Sequence, residues 1–73
     1  MIGIDMKAWF VPSFWDSVTL TPEERKAATV MGNIVSVNYA HKTFLVEFED
    51  GGAVFKETFN FSDCGKTVRV RGY

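Results

Sequence analysis

The longest regular pattern of apolar and polar positions runs from Gly32 to Phe61 and predicts three consecutive antiparallel strands. The first, Asn33 to Asn38, carries Ile34, Val35 and Val37. A turn through Tyr39-Ala40-His41-Lys42 leads into Thr43-Phe44-Leu45-Val46-Glu47-Phe48-Glu49. Asp50-Gly51-Gly52 then turns the chain into the third run, Ala53 to Phe61. β-branched and aromatic residues fill these runs, while Asn, Asp, Gly and Lys collect at the junctions. The paired glycines accept positive φ and define the second hairpin; the first turn lacks Gly and leaves its register open. Alternation puts Val35 with Val37 on one face of the first strand. It groups Phe44, Val46 and Phe48 on the second, and Phe55, Phe59 and Phe61 on the third, with Glu57 interrupting the last set. Leu45 and Val54 fall on the opposite sides of their strands, as expected where a bent sheet buries parts of both faces.

The flanks follow the same logic. Met6, Ala8 and Phe10 alternate with Lys7, Trp9 and Val11, which predicts a strand from Ile4 to Val11. Pro12 lacks an N–H and ends it or sets it on a sheet edge. Thr21-Pro22-Glu23-Glu24 is a helix start: Thr21 caps, Pro22 suits the first helical position, and Glu24 completes a capping box. A short helix over Pro22 to Ala28 follows, with Thr29 and Val30 turning extended again. Ser62-Asp63-Cys64-Gly65-Lys66 reads as a tight turn. Thr67 to Arg71 is a last strand with Val68 and Val70 inward and Thr67, Arg69 and Arg71 outward.

Composition narrows the choices. Seventy-three residues predict a single domain spanning 1–73. So short a chain buries only roughly 60% of its unfolded surface. Seven Phe and two Trp compensate, because large aromatics bury much area per residue. One Cys makes no intrachain disulfide, and one Cys with one His is too few for a zinc site, so no cofactor or metal is expected. Residues 1–30 hold three basic and four acidic groups and residues 31–73 five of each, giving a net charge of −1 without a charged tail. No apolar run approaches the roughly 20 residues a spanning helix needs. With Asp5 and Lys7 inside the apolar N-terminal stretch, no signal peptide is read there, and the free Cys64 points to a cytoplasmic setting.

A three-stranded meander, a tight turn and one short last strand resemble a Src-homology-3-like barrel. Gly32-Asn33-Ile34-Val35-Ser36-Val37, followed by Phe44-Leu45-Val46-Glu47-Phe48-Glu49-Asp50-Gly51, is similar to the opening of KOW and Tudor-type members. The likeness covers roughly residues 31–71. It implies a mainly β fold, a small five-stranded antiparallel SH3-like barrel with one short helix, and a binding role without a specified ligand. The compact one-domain format also looks like accessory proteins of phages and mobile elements.

Residues with chemistry are few. His41 is the only His and lies in a turn, where a solvated side chain is the ordinary reading. Cys64 lies in another turn beside Asp63 and Lys66; a reactive thiol is the alternative to an incidental one. Glu23 and Glu24 are explained by the helix start, and Glu47 and Glu49 by a solvated strand face. Glu57 shares parity with Phe55 and Phe59 and needs a cross-strand partner or the barrel mouth. Catalysis is therefore not expected. The aromatic endowment points to a protein partner, with Trp9, Phe14, Trp15, Tyr39 and Tyr73 as candidate contacts. The competing use of the N-terminal aromatics is as a lid on the core. RNA or single-stranded DNA is the alternative ligand, along Lys56, Lys66, Arg69 and Arg71. Exposed strand edges make homodimerisation a further expectation, and no membrane partner is expected.

Overall fold

A computed structural model describes residues 1–15 and 19–73. Five antiparallel strands form one sheet: β1 (Lys7–Phe10), β2 (Val30–Asn38), β3 (Thr43–Asp50), β4 (Ala53–Asn60) and β5 (Val68–Val70). Their order is β4-β3-β2-β1-β5, so the strands at the two ends of the described fold, β1 and β5, are neighbours. One helix, α1 (Pro22–Ala28), links β1 to β2. The mainly β class, the strand count and the helix bounds match the sequence reading. The arrangement is compatible with a small SH3-like β fold, but the sheet is not closed. Among the described residues no ladder joins β4 to β5, so the expected barrel is an open sheet; its β4 edge is unladdered, while on the other edge Val68 of β5 is bridged to Cys64.

The second hairpin forms as its glycines dictate. Asp50 pairs with Ala53, leaving a two-residue loop with φ of 61° at Gly51 and 82° at Gly52. Two consecutive positive φ values match the twist of antiparallel strands. In the first hairpin Lys42 adopts φ 56° in place of a glycine. Asn38 Oδ1 accepts from the His41 N–H at 3.1 Å and holds that turn.

β1 starts at Lys7, later than the expected Ile4, because Asp5 turns through φ 74° and Ile4 stays exposed. Ile2 nevertheless reaches the core, and Tyr39 Oη straps it by donating to the Ile2 carbonyl at 2.6 Å. The parity expected for β2 is also corrected. A bulge lies between Ile34, opposite Val46, and Ser36, opposite Leu45. Val35 is the extra residue, so the inward set is Gly32, Ile34 and then Val37; Val35 faces outward and is exposed.

The core consists of Ile2, Ala8, Phe10, Ile34, Phe44, Val46, Phe48, Phe59, Val68 and Val70. Phe10 meets Phe48 and Phe59 edge-on, with ring centres 5.0 and 4.9 Å apart. Phe44 stacks on Phe59 at 5.7 Å. These are the preferred geometries for aromatic pairs. Gly32 lets β2 lie this close to β3: a Cβ there would stand 2.5 Å from Val46 Cγ1 and 2.7 Å from the Glu47 carbonyl.

α1 forms for local reasons. Thr21 Oγ1 accepts from the Glu24 N–H at 3.1 Å, and Glu24 Oε1 accepts from the Thr21 N–H at 3.0 Å. These bonds hold the Glu24 carboxyl below its ordinary pKa, the backbone contact contributing most. The helix buries none of its side chains. Among the described residues no helix is long and apolar enough to cross a membrane.

Candidate interaction surface

Two surface features stand out, and they adjoin. The first is aromatic. After β1, Pro12 is buried and the chain makes a 3₁₀ turn over Ser13–Trp15, closed by the Trp15 N–H to the Pro12 carbonyl at 2.9 Å. This turn carries Phe14 back over the sheet. Its ring lies 6.5 Å from buried Phe48, 5.7 Å from Phe55 on β4, and 5.9 Å from Trp15. Phe14, Trp15 and Phe55 remain 47%, 42% and 41% exposed, so the cluster rests on the core without being covered.

The second feature is a cleft of about 900 Å³ where β4 and β5 fail to meet, bordered by α1. Arg25 and Lys26 of α1, Lys66, and Arg69 of β5 line it together with Glu57 and Asp63. Both carboxylates already accept backbone donors: Glu57 Oε1 from Ser13 at 2.9 Å and Asp63 Oδ2 from Asn60 at 2.9 Å. The second oxygen of Glu57 is buried with no hydrogen-bond partner among the described residues. The Ser13–Glu57 contact joins the features, since Phe14 follows Ser13 directly.

The candidate contacts from the sequence are thus dispersed. Phe14 and Trp15 meet in the aromatic patch. Trp9 lies on the outer face of β1, opposite Arg69 in register, with the Arg71 guanidinium 5.2 Å from its ring centre. Tyr39 packs edge-on against Phe61 and straps Ile2, while Tyr73 is exposed at the last residue. Of the four candidate cations, Lys66 and Arg69 share the cleft, and Arg71 covers Trp9 on its rim. Lys56 belongs to a different row, opposite Glu47, whose other neighbour Asn33 accepts from Lys7 Nζ.

Phe55, Arg25 and Lys26 were not among the sequence candidates. The two-residue turn at Gly51-Gly52 fixes Phe48 opposite Phe55 and was a usable signal for the first. Nothing in the local pattern of α1 tells which strand its basic residues approach.

Cys64 is a free, half-buried thiol. Burial pushes its pKa up, and the nearby Asp63 carboxylate pushes the same way. Both effects suppress the thiolate that a nucleophile requires. His41 is exposed in the β2–β3 turn. No group of three or more His, Cys, Asp or Glu suited to a metal occurs among the described residues.

Together these features define a small open β-sheet domain with an aromatic patch beside a basic cleft. Comparison with protein-family models, with curated proteins and with solved structures finds no match at any of the three levels.

Proposed function

We propose that this protein is a non-enzymatic binding module that recognises another protein through the patch of Phe14, Trp15 and Phe55. The observation that carries this reading is that three contiguous aromatics stay more than two-fifths exposed in a chain short of core area. Such side chains, rigid and largely apolar, dominate interface energetics when a partner covers them. The compact format and SH3-like strand arrangement suit an accessory or inhibitor protein of the kind phages and mobile elements encode. The unladdered β4 edge adds a route to self-association.

The test is a paired capture experiment with light scattering alongside. Wild type and a Trp15→Ser/Phe55→Ser variant serve as baits in extract of the organism that encodes the chain. Trp15 is 42% and Phe55 41% exposed, and Phe55 also stacks on buried Phe48 at 5.6 Å, so circular dichroism and a melting curve establish that the variant is folded before capture is compared. A partner held by wild type and lost by the variant, or a concentration-dependent dimer lost in the same way, supports the proposal. Equal retention by both baits refutes it.

Nucleic-acid binding along the last strand has weaker geometric support. Of the cations it needs, Lys56 lies in a different row, opposite Glu47 in register, and Arg71 lies against Trp9, which leaves Lys66 and Arg69 together. Binding of single-stranded RNA or DNA that weakens steeply with salt would reverse that preference.

A further inference from the structure

We infer that the cleft between β4 and β5 receives an extended, acidic segment of the protein partner. This rests on the protein-binding reading above and adds to it a site and a chemical class. Three observations converge on this occupant.

The first is the unpaired edge of β4. Among the described residues β4 is laddered only to β3, so its backbone donors and acceptors border the gap; on the facing side Val68 of β5 is already bridged to Cys64, and its carbonyl accepts from the Gly65 N–H at 2.8 Å. An added strand takes up such groups through main-chain hydrogen bonds. The second is charge. Arg25, Lys26, Lys66 and Arg69 line the cleft, while its two carboxylates each already hold a backbone N–H. A chain of net charge −1 therefore concentrates positive charge at this place, which complements acidic side chains.

The third observation favours a peptide over a nucleic acid. Glu57 Oε2 is buried and unpartnered among the described residues, and leaving such an oxygen unpaired is costly. A peptide backbone brings an N–H donor with every residue, whereas the phosphates that dominate nucleic-acid affinity bring only acceptors and repulsion. α1 fits the same picture: a seven-residue helix that buries no side chain gains packing once the cleft is filled. The Ser13–Glu57 contact places the aromatic patch next to the cleft, so one segment can engage both.

The experiment titrates ¹⁵N-labelled protein with three probes at low salt. One is a peptide of about ten residues alternating Glu and Val, long enough for a strand. The others are its Lys–Val counterpart and oligothymidylate. The expected result is amide shifts in β4, β5 and α1 with the acidic peptide alone. A Lys66→Glu/Arg69→Glu variant, altered at exposed positions and folded by circular dichroism, should weaken that binding by at least ~tenfold. No shift in the cleft with the acidic peptide overturns the inference, as does equal response to the Lys–Val peptide. Preferential binding of oligothymidylate assigns the cleft to nucleic acid and overturns it too. Native-extract capture distinguishes the two levels: loss with Trp15→Ser/Phe55→Ser but full retention with Lys66→Glu/Arg69→Glu leaves the patch standing and removes the cleft. Retention by both variants removes both.

Discussion

At Gly32 a hydrogen occupies the space where any other residue would place a carbon against Val46 and the backbone of Glu47. Backbone yields less readily than a flexible side chain, so Gly32→Ala must push β2 from β3 or twist Val46 off its rotamer. Overpacking of this kind costs about 1–3 kcal/mol. Urea unfolding should show a lower midpoint with an unchanged slope. An unaltered midpoint would mean that the β2–β3 spacing is softer than it looks. Cys64 provides a second test at this scale. Burial and Asp63 both raise its pKa, so iodoacetamide near neutral pH should modify it more slowly than an unstructured peptide thiol. Faster modification would restore the case for a nucleophile.

Among the elements, β2 shows most clearly what the sequence holds and what it withholds. In β3, Phe44, Val46 and Phe48 recur at every second position, with Leu45 the one large apolar residue between them, and this inward set was readable directly. The hairpin at Gly51-Gly52 and the capped helix were equally legible, because local chemistry alone determines them. The bulge was not. Ile34, Val35 and Val37 are all good strand residues, and only pairing against β3 decides which one is left over. Ile34→Ala should therefore cost about 2–5 kcal/mol, as for a fully buried aliphatic. Val35→Ala should fall within the ~0.5 kcal/mol typical of surface changes. Equal effects in thermal or denaturant unfolding would put the bulge elsewhere. The candidate surface was half legible for the same reason. Phe14 and Trp15 announce themselves by type, but their meeting with Phe55, and the approach of Arg25 and Lys26 to Lys66 and Arg69, depend on contacts far apart in sequence.

α1 answers to pH through its cap. A carboxylate whose folded pKa is lowered stabilises the folded form above its unfolded pKa, and that contribution fades as pH falls through the folded value. Glu24 belongs to this class through its bonds to Thr21. Acidification should therefore loosen α1 first, seen as faster amide exchange in residues 22–28 while the sheet stays protected. Thr21→Ala should bring the Glu24 titration, followed by carboxyl NMR, back toward its ordinary value. A Glu24 titration that does not move in that variant would show the capping box to be unoccupied in solution.

For the whole molecule, the core is threaded by aromatic contacts running Phe48–Phe10–Phe59–Phe44, which tie β1 to β3 and β4. The sheet achieves this without closing, and the gap it leaves is bordered by a helix that contributes nothing to the core. The helix that buries no side chain thus borders the cleft that gathers Arg25, Lys26, Lys66 and Arg69. Low-stability segments are where proteins accommodate ligands.

The placement of β1 between β2 and β5 also bears on synthesis. Ala8 pairs with Gly32 on one side and Val70 on the other. A nascent chain can close the β2–β3–β4 meander as soon as those residues leave the ribosome. The edge of β1 that β5 will cover must wait until Val70 has emerged. Until then Val68 and Val70 are missing from the core, and the strand that ends up in mid-sheet is exposed to any chaperone or like chain nearby. Assembly is therefore timed by the arrival of β5, the shortest strand of the five.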